Sequence, residues 1–287
     1  MGWIDVGIIA LFVIYAISSG LKNRGQASKN IEEYFLAGRS LPGWKAGLSM
    51  AATQFAADTP LLVTGVIATA GIFALWQLWI YALAFLLMGF VLASSWRRAG
   101  VITDAELSEV RYGDKSAAVL RGVKAVYFGT IFNCTVLAWV LFAAAKIAEP
   151  FLLWDLWLPS GVFQPVVDLM KWVGVPLTVG PANDPEVWVK SAANLISIGL
   201  MVLVTTLYSA TGGLRSVVAT DIVQFFIMLL GTLGFTIIVV AKVGGLEAVK
   251  DQIFEKFATG GPGGILPEQI LAFTPDQAKD ASLALLF

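Results

Sequence analysis

Between Gly43 and Gly71 the sequence runs GWKAGLSMAATQFAADTPLLVTGVIATAG, apolar enough to cross a bilayer but broken at its centre by Thr53, Gln54, Asp58, Thr59 and Pro60. A carboxylate beside a proline at that depth costs free energy and persists where it has a use. Pro60 lacks a backbone donor and clashes with the carbonyl four residues back, at Ala56. It also biases Thr59 towards an extended conformation. A helix that stops near Phe55 leaves the carbonyls of 52–55 without intrahelical partners, at the negative end of its dipole. Such oxygens suit a small hard cation. The spacing therefore predicts a discontinuous helix forming half of a solute or ion site, because irregular backbone is tolerated in a membrane only where it is buried in protein or lines a cavity. Asp58 reads as a cation ligand, a counter-ion for a cationic solute, a protonatable coupling group, or an acid satisfied by neighbouring groups.

A second polar cluster lies in YSATGGLRSVVATDIVQFF. The Gly212-Gly213 turn feeds an apolar run on which Asp221 and Gln224 share one helical face. Arg215 stands at its mouth, placed to snorkel or to pair with an acid. Asn133, Cys134 and Thr135 fall in mid-span, where Asn133 suits an interhelical hydrogen bond. Lys146 and Glu149, three apart, read as a helix-end ion pair.

The elements that must position these residues follow from composition. Charged residues make up 14% of the 287, against about a quarter in soluble domains. Several apolar segments exceed the roughly 20 residues needed to span hydrocarbon. The fold class expected is an all-α polytopic membrane protein, with spans at 3–20, 45–70, 74–95, 117–148, 188–208 and 216–242. A seventh span starts near 281, so the chain reads as the N-terminal portion of a longer protein. There is no histidine, and Cys134 is the single cysteine. A structural disulfide, a zinc cluster and Ser-His or Cys-His catalysis are therefore not expected, and no basic face points to nucleic acid. The first residues lack a signal peptide's basic start and cleavage site.

Orientation follows from short basic loops. Lys22, Arg24, Lys29, Arg39 and Lys45 follow the first span, and Arg97, Arg98, Arg111, Lys115, Arg121 and Lys124 follow the third. Both loops are expected in the cytoplasm, placing the N-terminus outside and the chain in the cell membrane as a multi-pass protein. The segment 149–187, rich in tryptophan, is expected to lay 161–173 along the outer interface. Thr103 and Glu106 have capping-box spacing for a short cytoplasmic helix.

Four stretches then resemble one family, the sodium:solute symporters, in that family's order: EEYFLAGRSLPGW, GLSMAATQFAADTP, GVITDAELSEVRYG and YSATGGLRSVVATDIVQ. The resemblance implies a leucine-transporter-like inverted-repeat fold, with a preliminary helix at 3–20 and a first five-helix repeat over about 43–242. An outer loop at 243–280 and the start of the next helix at 281–287 would follow, all in one transmembrane domain. It implies Na⁺ held by the backbone carbonyls of Ala52 and Phe55, and a solute faced by Gln54, Asp58 and Thr59. Coupling and gating would fall to Asp221, Gln224 and Arg39. The expected activity is Na⁺-coupled import of a small polar solute by alternating access, in a lipid bilayer, completed by a C-terminal half of the same chain. The alternatives are a symporter-like sensory module fused to a histidine kinase, a proton-coupled transporter of the same fold, and a passive channel. An enzyme is not expected. Asp58-Thr59-Pro60 departs from the small residues that the family often carries there, so the solute is not transferred.

Overall fold

The computed structural model describes residues 2–181 and 183–279. It is helical, with no strand among the described residues. Helix α1 covers Trp3–Ala27, α2 Ile31–Leu36, α3 Gly43–Gln54 and α4 Asp58–Ala70. Helix α5 runs Ile72–Ala99, α6 Asp104–Tyr112, α7 Lys115–Ala148 and α8 Ser160–Val173. Helix α9 runs Pro185–Val243 with a break at Gly213, and α10 covers Leu246–Lys256. Among the described residues, α1, α5, α7 and α9 are long and apolar enough to cross a membrane, and α4 is a shorter apolar helix. The chain is an all-α polytopic membrane protein. The expected start of a span at 281–287 lies outside the described residues.

Helix ends differ from the expected spans for physical reasons. Helix α1 continues past residue 20 to Ala27, because Leu21, Lys22, Asn23 and Arg24 extend it without any need for lipid. The spans predicted at 188–208 and 216–242 are two helical stretches that meet at a kink, where Gly213 adopts φ 57° and ψ −158°. A widened turn interrupts α5 at Met88–Leu92 and α7 at Tyr127–Phe132. Thr103 caps α6, accepting from the Glu106 N–H at 3.2 Å. The Glu106 carboxylate accepts from Ile102 rather than from the cap residue's own N–H, so only half of the expected capping box forms.

The chain forms two compact units, whose boundaries fall inside α4, α7 and α9. One unit comprises 2–58 with 122–225. Here α1 packs on the broken part of α9 through small residues. A Cβ on Gly20 would stand 2.6 Å from the Thr211 hydroxyl, and one on Gly212 would stand 2.8 Å from the Gly20 Cα. Such close backbone approach is how transmembrane helices associate without a hydrophobic driving force. The Tyr15 hydroxyl adds a bond to the Ala219 carbonyl at 3.2 Å. Helix α8 buries Phe163, Val167 and Met170 against Ala192 and Ala193 of α9, giving this unit an apolar core at that end. Residues 161–173 thus form a helix that packs on α9.

The other unit comprises 59–121 with 226–279. Its buried apolar residues include Phe73, Ala74, Ile265, Ile270 and Ala272. The α4–α5 joint turns at Gly71, φ 87°, where a Cβ would run into the Gln269 carbonyl. Lys279 donates to the Thr69 carbonyl at 3.3 Å and to that of Gly263. The segment after α9, expected as an outer loop, is thus partly helical and seated on the α4–α5 joint.

Candidate functional site

The interruption expected in 43–71 exists, and it separates two helices. Helix α3 ends at Gln54, and Phe55 leaves helical geometry at φ −98°, ψ 64°. Its N–H closes on the Ala52 carbonyl at 3.1 Å, a three-residue turn in place of a four-residue one. A carbonyl oxygen has two lone pairs, so Ala52 retains one for a further partner. Ala52 is buried and Phe55 half-buried, while Gln54 is exposed and engaged in a polar or ring contact. Helix α4 begins at Asp58, after three residues outside either helix.

Pro60 plays a different part from the one expected. It occupies the third position of α4, where its missing N–H is one of the helix's orphan donors anyway, so it starts a helix instead of kinking one. Thr59 is correspondingly helical rather than extended. Asp58 opens α4, where the positive end of the helix dipole favours a carboxylate. Its Oδ2 accepts the Trp139 indole N–H at 3.0 Å. Asp58 therefore has a neutral donor from α7, 81 residues away, in place of a cationic partner there.

Asp221 lies against α3. The Ser49 hydroxyl donates to Asp221 Oδ2, and the Thr53 hydroxyl donates to the Ser49 carbonyl at 2.9 Å. A carboxylate of α9 is thereby tied to the helix turn that ends in Ala52 and Phe55. Gln224, one turn further on, shares with Ala57, Thr205, Tyr208 and Ser197 the wall of a cavity of about 1000 Å³. The rest of that wall is mostly apolar, supplied by α1, α7 and α9.

The basic residues segregate. Arg39 donates to Glu32 at 2.9 Å. Arg215 has the richer set: its Nη2 donates to Glu33 Oε2 at 3.0 Å, to the Ala37 carbonyl at 2.7 Å and to the Ser40 hydroxyl at 2.9 Å. The backbone it grips is strained, with Ala37, Gly38 and Arg39 at φ 51°, 60° and 52°. Non-glycine residues held there cost on the order of 1–3 kcal/mol each and persist where the surroundings over-determine them. Arg215 supplies that constraint. Gly213, just before it, packs its Cα so close to Tyr34 that a Cβ would lie 2.7 Å from the Tyr34 carbonyl.

Among the candidates, Asp221 joins the end of α3, Arg39 belongs to the α2 turn, Gln224 lines the cavity and Asp58 meets Trp139. Ser49, Trp139 and Glu33 escaped sequence reasoning. Ser49 had a signal, since it falls four residues before Thr53 and three before Ala52 on one helix face. Trp139 had none, because nothing in an apolar helix marks which indole turns inward.

Lys146 and Glu149 do pair, at 3.0 Å, but the pair is more than a helix-end contact. Glu149 Oε2 also accepts from Thr178 at 3.2 Å and from Asn194 at 3.1 Å, and Asn194 reaches on to the Leu177 carbonyl at 3.0 Å. This network pins the segment before α9 to the end of α7. Burial raises the Glu149 pKa, but the bonds from Asn194, Lys146 and Thr178 outweigh it and hold the carboxyl below its ordinary range. Asn133, expected to bridge helices, is exposed at the edge of the widened turn of α7.

Comparison with known proteins falls on the same residues. The model of the sodium:solute symporter family matches 34–164 and 192–280. The sodium/glucose cotransporter of Vibrio parahaemolyticus is 26% identical over 250 residues, covering 86% of this chain and 38% of that protein. Sodium/glucose cotransporter 1 of Mus musculus is 24% identical over 276 residues, covering 94% and 35%. The corresponding Ovis aries protein is 26% identical over 249 residues, covering 85% and 31%. The chain thus spans about a third of the length of these curated relatives. No solved structure matches.

Proposed function

Given that the chain belongs to the sodium:solute symporter family, we propose that it forms part of a Na⁺-coupled secondary transporter importing a small polar solute by alternating access. The observation that carries this reading is the helix break at 55–57 with Asp221 tied to its inner side. In the proposed site the carbonyls of Ala52 and Phe55 hold Na⁺, helped by the negative end of the α3 dipole. Gln54, Asp58 and Thr59 face the solute, a class that includes the glucose of the relatives' names. The Ser49–Asp221 bond transmits ion occupancy from α3 to α9, and Arg39 and Gln224 belong to the inner gate. The further donors come from the part of the protein beyond this chain. The proposed orientation keeps the N-terminus outside, in the cell membrane.

No covalent bond changes in such a cycle. The work comes from the Na⁺ gradient, about 2.3 kcal/mol per charge per 100 mV plus the concentration term. Ion binding favours one conformation only by its differential affinity for the two. Uptake titrated with Na⁺ tests the assignment. Gln54→Ala is expected to raise the half-saturating solute concentration about tenfold, the worth of one lost hydrogen bond, with the Na⁺ dependence within about twofold. Equal weakening of both, or of neither, rejects the role given to Gln54. Uptake that survives collapse of the Na⁺ gradient rejects the coupled transporter as a whole.

A further inference from the structure

A second pocket, of about 670 Å³, opens where the basic end of α1 meets α3 and the stretch of α9 after Gly213. Its charged residues are Lys22, Lys45 and Arg215, and no acid lines it. Glu33 neutralises Arg215 at 3.0 Å, but neither Lys22 nor Lys45 pairs with a carboxylate among the described residues. The Arg215 Nε is buried with no hydrogen-bond partner there. The pocket is therefore lined by two uncompensated ammonium groups beside the guanidinium of Arg215, whose Nε is itself buried behind it.

The rest of the lining divides by polarity. Ser18, Ser19, Asn23 and Gln26 stand beside the cations, whereas Leu41, Val218, Ile222 and Val223 form the apolar part. Trp44 sits at the rim with Lys45 over its ring, 5.5 Å from the centroid. An exposed tryptophan beside lysine at a span's end belongs at headgroup level. The walls are fixed: Asn23 donates to the Ser19 carbonyl at 2.9 Å and Tyr15 bonds the Ala219 carbonyl. A cationic floor, small polar donors and an adjoining apolar wall match a phosphodiester headgroup with its acyl chain. A free phosphate would have no use for the apolar wall.

We infer that this pocket binds an anionic phospholipid, its phosphate held by Lys22 and Lys45 beside the Arg215 guanidinium and its chain laid along Val218 and Ile222. Basic pockets between transmembrane helices take such headgroups. Because Arg215 also holds the strained turn at Ala37–Arg39, a bound lipid and the α2 turn share one side chain. Lipid occupancy thereby stiffens the junction of α2, α3 and α9 on which the proposed inner gate depends.

The test uses the protein purified in neutral detergent, with phosphatidylglycerol and phosphatidylcholine of equal chain length as probes and retained lipid counted by native mass spectrometry. The wild type is expected to retain phosphatidylglycerol in clear preference, and Lys22→Gln with Lys45→Gln to cut that preference about tenfold or more. Helical content by circular dichroism should stay unchanged. Inorganic phosphate at millimolar concentration should not displace the lipid. Equal retention of the two lipids, or a double variant that binds as the wild type does, overturns the proposal. Displacement by phosphate also overturns it, and makes the pocket a site for a soluble anion. The lysine substitutions lie outside the proposed Na⁺ and solute residues, so their failure leaves the transport reading standing.

Discussion

Asp58 and Glu149 are both acids at helix ends, and their partners give them different work. Among the described residues Asp58 receives an indole N–H and pairs with no cation, so Asp58→Asn retains an acceptor for Trp139 and removes only the charge. Na⁺-dependent uptake is expected to fall more than about tenfold in Asp58→Asn, as for the loss of a charge placed in the membrane for use. Trp139→Phe, which removes the donor and keeps the ring, should cost about 1.5 kcal/mol of stability and leave uptake within about threefold. Unchanged uptake in Asp58→Asn would make the acid structural. Glu149 has the opposite character: Lys146, Thr178 and Asn194 all donate to one oxygen. Its folded-state pKa lies below the ordinary 4.5, so the unfolded chain takes up the proton first. The stability it confers is complete above that ordinary value and is lost as pH falls through the lower, folded one. Glu149→Gln should lower stability at pH 7 by about 1–3 kcal/mol. The gap from wild type in thermal unfolding should narrow below pH 4.5. A gap that stays constant from neutral pH to well below that value excludes the carboxylate charge as its source.

Several helices of this chain are interrupted or meet end to end at breaks, and the breaks are where sequence alone had most and least to say. The interruption of 43–71 was legible because a carboxylate and a proline inside an apolar run are too costly to sit in an unbroken, lipid-facing helix. Its geometry was not: Pro60 looked like a kink and proves to be in the first turn of α4. The Gly212-Gly213 turn was visible as a pair of glycines, and Gly213 needs its positive φ and its contact with Tyr34. Gly213→Ala is expected to lose about 2 kcal/mol or more in denaturant unfolding, from left-handed strain and the Tyr34 clash. Gly25→Ala, in α1 with nothing within 4 Å of the added methyl, should be neutral or stabilising by up to about 1 kcal/mol. Equal effects of the two would mean that the α9 break is not tightly specified. The α2 turn and the bonds of Arg215 were beyond reach of spacing, since Arg215 and Glu33 stand 182 positions apart.

For the molecule as a whole, membrane sidedness controls every functional assignment, and it rests on where the lysines and arginines lie. The end of α1 and the segment after it hold Lys22, Arg24 and Lys29, whereas the segment leading into α9 and its first turn hold Asp184 and Glu186. Positive loops resist translocation, so the first should stay in the cytoplasm and the second should cross. Lys29 and Asn183 are both exposed and lie outside helices, which makes them suitable reporter positions. With the single native cysteine removed by Cys134→Ser, a membrane-impermeant maleimide should label Asn183→Cys in intact cells. It should label Lys29→Cys only after the membrane is opened or inverted. The reverse pattern would turn the chain over: Asp221, Arg215 and the lysine-lined pocket would then face the outside. The break at 55–57 would keep its geometry, but Na⁺ would meet it from the opposite direction, and the gating role given to Asp221 and Arg39 would have to pass to an outer gate.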